Sequence, residues 1–447
     1  MSAVNKSASA GKDLVLGLGA TGLSIARYLR RIEHEAVFLD SRAEPPGIDE
    51  LGEVWPDANI ILGKMELPRD VERIIVSPGI ADSDKLLKSA RRKKLEVVSD
   101  IEIFAREAKA PFVAITGSNG KSTVTTLLYH MCRAAGRTVL AGGNLGEPAL
   151  DLLDEDEPDL YVLELSSFQL QRTESLPAEV AVLLNVSPDH LDWHTDEAEY
   201  RQSKYRVYRE ARAAVVNRAD DKAAEHAQDI DKTITFGLDE PADGQYGLRR
   251  EDGDVYLARG NTLLIAVNDL SMVGLHNQAN GLAALAAGEL LGLDMSAMLQ
   301  AISEFPGLPH RMQLVARKAA VNYINDSKAT NVAAAVASIQ SVNNTLVLIA
   351  GGDGKGADFS DLAAALDGKL RAAVLIGMDA AAIESAIDTV MPVYFARDMQ
   401  DAVRQAAVFA ESDDTVLLAP ACASFDQYAN YAARGDAFCD AVRGLRK

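Results

Sequence analysis

A strand that runs into a glycine-rich turn and then into an amphipathic helix narrows the choice of fold sharply, and this chain carries that unit twice. In "LVLGLGATGLSIARYLRRIEHEAVFLD", residues 14–40, the apolar run Leu14–Leu18 meets Gly17-x-Gly19-x-x-Gly22; a helical stretch and a second apolar run ending at Asp40 follow. Glycines so placed allow a tight turn and bring backbone N–H groups close to a diphosphate. An acidic residue 18 positions after the last glycine suits a ribose. In "VAITGSNGKST", residues 113–123, Val113–Ile115 reads as strand, 116–123 as loop and Val124–Ala135 as helix, with Val124, Leu127, Leu128 and Met131 on one face and Gly136 at the end. Both units belong to parallel α/β sheets.

The same alternation continues along the chain. Its 447 residues exceed one ordinary core, and the pattern restarts twice. The first block runs from Leu14 to about Ser99 and includes "VERIIVSPGIA", a strand closed by a Ser-Pro-Gly turn. The second opens at Phe112–Ile115 and continues with strands at Tyr161–Leu165, Val180–Asn185 and Ala214–Asn217. Residues 220–268 are charged and irregular and read as peripheral hairpins, Asn277–Leu291 reads as a helix, and "SEFPGLPHR" as a linker. The third block begins near Pro309, with strands at Val321–Ile324, Leu346–Ala350, Ala373–Ile376 and Val416–Ala419. The expectation is an α/β protein of mostly parallel sheets covered on both faces.

A net charge of −20 argues against a broad nucleic-acid surface. The polar start "MSAVNKSASAGKD" has no apolar core, and no apolar run reaches about 18 residues, so neither secretion nor membrane insertion is expected. Cys132, Cys422 and Cys439 show no paired metal spacing and fit a reducing compartment, hence a cytoplasmic protein.

The second loop carries the more reactive chemistry. Gly117, Ser118, Asn119 and Gly120 let successive N–H groups face phosphate oxygens at a helix N-terminus, where Lys121 would reach the β and γ phosphates and the Ser122 hydroxyl, beside Thr123, a Mg²⁺ ion. The pattern is incomplete, because Ile115 holds the first glycine position. Glu164 sits among Tyr161, Val162, Leu163 and Leu165 at a strand end, where a carboxylate needs a partner, and reads as a metal ligand. Asn185, Asp189, His190 and Asp192 crowd the end of the next strand. In the third block, Asp326, Ser327, Lys328, Thr330 and Asn331 follow one strand, Lys355 another, and Ser424 a third; three such turns at one sheet edge would hold a small charged ligand.

Taken in order, "AITGSNGKSTVTTLL", "GGNLGEPAL", "VLELSSFQL", "LNVSPDHLDWH", "LPHRM", "NDSKATN", "GGDGKGADF" and "PACASFDQY" resemble the Mur ligases over nearly the whole chain, and fit best those that add D-glutamate. The resemblance implies a Rossmann-like N-terminal domain (1–100) for the UDP substrate, a P-loop-type ATPase domain (101–305) and a Rossmann-like C-terminal domain (306–447) for the amino acid. Gly19, Ala20, Thr21, Asp40, Ser41, Arg42 and Gly79 would surround uridine and diphosphate, and Asn144, Ser166, Gln169 and His190 the muramoyl-alanine arm. Ser122 and Glu164 would bind one Mg²⁺, and His190 with Lys204 a second, Lys204 as a carbamate formed from CO₂; Mn²⁺ is an alternative metal. A carbamate forms only on the neutral amine and turns a cation into an anionic oxygen donor. Asn277, Arg311, Asp326 and Lys328 would close over ATP, and Thr330, Lys355, Ser424, Phe425 and Tyr431 would read D-glutamate. Phe425 and Tyr431 depart from relatives that carry Leu and Phe there, and no D-N-P-R stretch of the diaminopimelate-adding relatives occurs.

The implied reaction joins the alanyl carboxylate of UDP-N-acetylmuramoyl-L-alanine to D-glutamate through an acyl phosphate made from ATP. Lys121, His190 and Lys204 are its catalytic groups, the enzyme is a monomer, and the third domain closes before chemistry. The alternatives are another amino-acid-adding Mur or folylpolyglutamate-type ligase, a nicotinamide-dependent oxidoreductase that would leave the second loop idle, and a UDP binder without activity.

Overall fold

The structure is a computed structural model and describes residues 12–81, 84–187, 193–272, 274–387 and 391–445. The chain forms two compact units. One takes the chain up to Arg250, with Leu257–Leu264 and Asn280–Ala301; the other takes Glu251–Tyr256, Ile265–Ala279 and the chain from Ile302 on.

The first unit holds a sheet of β1 (Lys12–Leu16), β2 (Ala36–Asp40), β3 (Asn59–Leu62), β4 (Val71–Val76) and β5 (Glu96–Val98), in the parallel order β3-β2-β1-β4-β5. Chain direction across the sheet reverses between β1 and β4, so the Gly17 turn and the Ser77-Pro78-Gly79 turn open side by side into the crevice where such sheets bind ligands. The helix Ala20–Arg31 buries Leu23, Ile25, Ala26, Tyr28 and Leu29. Each such aliphatic or aromatic side chain contributes roughly 1.5–3 kcal/mol of burial.

The second sheet of this unit is built on β6 (Phe112–Thr116), β7 (Val139–Gly143), β8 (Leu160–Glu164), β9 (Val180–Leu183), β10 (Ala213–Asn217), β11 (Lys232–Phe236) and β12 (Tyr246–Glu251), ordered β12-β11-β10-β9-β6-β8-β7. The expectation of peripheral hairpins over 220–268 holds only in part: β11 is instead a sheet strand parallel to β10, and Phe236 opposite Tyr246 continues the sheet toward its edge, where β12 and the two strands after it are consecutive neighbours joined by two-residue turns. The charged sequence belongs to half-exposed strands near a sheet edge, where alternation is weak. β13 (Asp254–Arg259) and β14 (Thr262–Ala266) follow. One apolar core joins the first two sheets, from Leu18, Phe38 and Phe104 to Phe112, Tyr161 and Leu183, and Arg27 grips Asp151 with two bonds, 3.0 and 2.6 Å.

In the other unit, β15 (Gln313–Lys318), β16 (Val321–Asn325), β17 (Leu346–Gly351), β18 (Leu370–Ile376), β19 (Val393–Phe395) and β20 (Thr415–Leu418) form a sheet in the order β15-β16-β20-β17-β18-β19. Only β15 against β16 is antiparallel, a strand the hydrophobic pattern did not reveal because its burial is partial. The ends of β16, β20 and β17 are neighbours, so the turns after them share one edge, as the sequence suggested.

Candidate active site

The phosphate loop is built tightly enough to explain its glycines. Gly120 has φ +85° and caps the helix Lys121–Ala134, which starts three residues earlier than the sequence suggested; a Cβ there would lie 2.2 Å from Asn280 Oδ1. The helix therefore places Ser122 and Thr123 in its first turn, both buried. Asn185 holds the loop from the other side: its Oδ1 accepts from the Asn119 N–H at 2.8 Å and its Nδ2 donates to the Asn119 carbonyl at 3.0 Å. The Ser118 N–H donates to the Asn185 carbonyl at 2.9 Å. Asn185 was among the polar groups the sequence gathered at this strand end, whereas Asn280 carried no predicted role.

Two ammonium groups meet one carbonyl. Lys121 Nζ donates to the Gly117 and Ser118 carbonyls, 2.8 and 3.0 Å, and Lys204 Nζ donates to the same Gly117 oxygen at 2.8 Å. Lys204, on a helix rich in charged residues, is 2% exposed and buried beside the loop. Tyr200, one helical turn before it, places its ring 4.8 Å from the Lys204 ammonium and its hydroxyl 2.7 Å from Ser118 Oγ. Sequence reasoning missed Tyr200, although the spacing of four was readable.

Glu164 ends β8 with 2% exposure. Its Oε1 accepts from Asn144 Nδ2 at 2.7 Å, whereas Oε2 is buried with no hydrogen-bond partner among the described residues. A buried carboxylate oxygen in that state is costly unless a cation meets it. The donor set, a carboxylate with the Ser122 hydroxyl in the adjoining helix turn, suits a hard oxygen-seeking ion such as Mg²⁺. Two residues on, Ser166 caps the helix Ser167–Gln171 and forms a capping box with Gln169. His190, with Asp189 and Asp192, lies outside the described residues.

The first loop is braced by acid instead of base. Gly17 has φ +95°, and a Cβ on Gly22 would lie 2.0 Å from the Gly17 carbonyl oxygen. Asp40, 3% exposed, accepts the Leu18 N–H at 2.8 Å and the Arg42 guanidinium at 2.9 and 2.7 Å. The guanidinium, together with the Leu18 and Arg42 backbone N–H groups, holds this carboxyl down at about 2. Ala20 and Thr21 begin the following helix, Ser41 is exposed, and Gly19 and Gly79 have open space where a side chain would be.

In the other unit, Asp326 is buried and its carboxyl is raised by burial; it accepts from the Met312 N–H at 3.1 Å and from Ser338 Oγ. Lys328 lies 4.1 Å over the Tyr431 ring, and Lys355, at φ +53°, lies 5.9 Å from the Phe425 ring. Phe425 is 67% exposed, while Ser424 is buried. Arg434 was not anticipated. It is 1% exposed and ties three turns together by donating to the Ser327 hydroxyl (3.0 Å) and carbonyl (2.9 Å) and to the carbonyls of Gly351, Cys422 and Ala423. Burial lowers this guanidinium to about 10. Asn277 belongs to the helix Leu275–Leu290 and is buried, Arg311 follows His310, and Thr330 sits in the turn after β16.

A phosphate loop beside a buried carboxylate, one oxygen of which has no hydrogen-bond partner among the described residues, defines an ATP-using class. Known proteins narrow it. Residues 11–99 match the Mur ligase MurD-like N-terminal domain, 115–288 the Mur ligase middle domain and 310–422 the Mur ligase glutamate ligase domain. The UDP-N-acetylmuramoylalanine–D-glutamate ligase of Nitrosococcus oceani is 49% identical, with 98% of this chain and 97% of that one covered; its counterpart in Legionella pneumophila (strain Lens) is 47% identical, with 97% and 99% covered. The UDP-N-acetylmuramate-alanine ligase of Thermotoga maritima shares the fold at a TM-score of 0.59 and 17% identity, covering 98% of this chain and 100% of that one. The chain belongs to the Mur ligase family.

Proposed function

We propose that this chain is the ATP-dependent ligase that adds D-glutamate to UDP-N-acetylmuramoyl-L-alanine, a step of cytoplasmic peptidoglycan precursor synthesis. The full-length likeness to ligases of that name supports the amino acid and the UDP substrate. The observation that carries the ATP-dependent step is Glu164, whose unmatched buried oxygen stands beside a phosphate loop.

The division of labour follows 1–100 for the UDP substrate, 101–305 for ATP and 306–447 for the amino acid. The Gly17–Gly22 turn with Ala20, Thr21, Ser41, Arg42 and Gly79 takes the uridine diphosphate, and Asn144, Ser166, Gln169 and His190 the sugar-peptide arm. Ser122 and Glu164 would hold one Mg²⁺, and His190 with the Lys204 carbamate a second; Mn²⁺ can replace either, and the ions supply positive charge between two anions. The substrate's alanyl carboxylate attacks the γ-phosphorus of ATP, the bond to the β,γ-bridging oxygen breaks, and an acyl phosphate and ADP result. Lys121 leaves the Gly117 and Ser118 carbonyls to follow the transferring charge. Asn277, Arg311, Asp326 and Lys328 complete the ATP site. Thr330, Lys355 and Ser424, with Phe425 and Tyr431, hold the two carboxylates of D-glutamate, whose neutral amine attacks the acyl carbon and expels phosphate. His190 or that phosphate takes the amine proton. The enzyme acts as a monomer, without nucleic acid, and no helix among the described residues is long and apolar enough to cross a membrane.

Phosphate release with ATP, Mg²⁺ and UDP-N-acetylmuramoyl-L-alanine across a panel of L- and D-amino acids tests the reading. Release only with D-glutamate supports it. Release with another amino acid overturns the roles of Thr330, Lys355 and Ser424, and none at all overturns the ligase.

A further inference from the structure

Ser118 sits inside the phosphate loop, yet its polar groups are engaged within the protein. Its N–H goes to the Asn185 carbonyl at 2.9 Å, and its own carbonyl receives Lys121 Nζ at 3.0 Å. Its hydroxyl meets three partners: the Ser187 N–H and the Ser187 carbonyl, each at 3.0 Å, and the Tyr200 hydroxyl at 2.7 Å. The directions follow from groups that have no choice. The Ser187 N–H can only donate and the Ser187 carbonyl can only accept, so Ser118 Oγ takes one proton and gives its own. Tyr200 is then the donor of the third bond, and Ser118 Oγ has its proton and both lone pairs committed. A phosphate oxygen needs a donor, and Ser118 has neither N–H nor O–H left to give it.

Tyr200, 1% exposed, lies on the helix Glu197–Tyr205, one turn before Lys204. Two bonds therefore tie this helix to adjacent loop residues: Lys204 Nζ to the Gly117 carbonyl at 2.8 Å, and the Tyr200 hydroxyl to Ser118. The first depends on the state of the lysine, because a carbamate replaces the ammonium by an N–H and an anionic oxygen donor. The second contains no group that changes charge near neutral pH. We infer that Ser118 and Tyr200 form a latch: Ser118 is not a phosphate contact, and Tyr200 is a positioning residue that keeps Lys204 in register with the phosphate loop in either form of the lysine. The inference rests on the reading of Lys204 as a ligand of the second Mg²⁺. A small displacement of that oxygen donor slows phosphoryl transfer, whereas ATP keeps the other groups of the loop that bind it.

Steady-state kinetics of Tyr200→Phe and Ser118→Ala in the full-length enzyme test this. Tyr200→Phe deletes one oxygen and keeps the ring beside Lys204; Ser118→Ala deletes the hydroxyl and keeps the backbone bonds. Each lowers kcat about tenfold and raises the Mg²⁺ concentration for half-maximal turnover by about the same factor, while KM for ATP moves by less than about twofold. The double variant is no slower than Ser118→Ala alone, because the bond that Tyr200 makes is already gone there. Titration calorimetry with a non-hydrolysable ATP analogue gives a Kd for Ser118→Ala within about twofold of the parent. An analogue bound about tenfold more weakly by Ser118→Ala makes Ser118 a phosphate contact and overturns the inference. So do losses that multiply in the double variant, or a kcat and Mg²⁺ requirement that hold while the melting temperature falls, which is the result for a brace without part in the reaction. An unchanged kcat in Tyr200→Phe overturns it whatever the melting temperature does. A parent enzyme without D-glutamate-dependent phosphate release overturns the functional reading instead, and the calorimetry then still decides whether Ser118 touches phosphate.

Discussion

The two glycine-rich loops of the first unit share a backbone plan and differ in the charge that surrounds it. Around the first, Asp40 is matched at once by Arg42 and the Leu18 N–H, so the loop is braced and electrically closed. Around the second, two ammonium groups donate to the Gly117 carbonyl, and one oxygen of the buried Glu164 carboxylate has no hydrogen-bond partner among the described residues. Matched charge makes a rigid grip. A buried carboxylate oxygen without a partner leaves a site whose free energy falls when a cation meets it, and that is where bond-making chemistry belongs.

Lys121→Ala is the hardest test of that contrast. Turnover should fall at least about a hundredfold to a thousandfold, a larger effect than that on the melting temperature, since two of the lysine's bonds are to loop carbonyls. Single-turnover phosphate release and differential scanning calorimetry measure the two; a large loss of stability would show that the second loop is braced like the first. Glu164→Gln separates function from stability further. Its side chain can still accept from Asn144, so Mg²⁺-dependent turnover should drop on the order of a hundredfold as thermal stability holds or rises, because a buried charge is removed. A fall in stability without loss of turnover would make Glu164 a structural carboxylate.

In the first loop the effect should reverse. Gly22→Ala places a Cβ against the Gly17 carbonyl oxygen and should cost about 1–3 kcal/mol of stability, whereas Gly19→Ala meets open space and should alter only the KM for the UDP substrate. Chemical denaturation of the two variants side by side decides it.

The dependence on pH carries two contributions of opposite sign. Asp40 has a lowered folded pKa, so its contribution is present above about 4 and is lost as pH falls toward about 2; Asp40→Asn removes that slope and about 1 kcal/mol at neutral pH. Asp100 has the opposite sign. With its folded pKa raised to about 6, the native state binds a proton that the unfolded chain does not, and stability gains about 3 kcal/mol as pH falls from about 6 to about 4. Subtracting the stability curve of Asp100→Asn from that of the parent should isolate this term; a flat difference would mean the carboxyl is not buried as described.

Much of the site was legible because its chemistry is local. Gly17, Gly22 and Gly120 follow from the turns they make, and Glu164 stood out as a carboxylate inside an apolar strand. The motif residues Lys121 and Ser122 lie at a helix start, as their strand–turn–helix setting requires. Lys204 was recognisable only by resemblance, because its neighbours on the helix are charged and nothing local says that it is buried. Lys232–Phe236 was hidden for the converse reason: a strand that stays half-exposed carries little hydrophobic pattern.

Sequence by itself determined the α/β order, the two phosphate-type turns and the residue types able to do ligase chemistry, since each is encoded within a few positions. Tertiary structure alone decided which charges find partners. Asp100 in "SDIEIF" reads as an ordinary acid at a helix start, and becomes a buried acceptor of the Gln169 amide only because the helix Ser167–Gln171, 69 residues away in the chain, packs against it. Arg434 likewise reads as a surface cation until β16, β17 and β20 bring three turns around it. Burial and charge matching depend on what a fold places opposite a side chain, and no local window of sequence contains that.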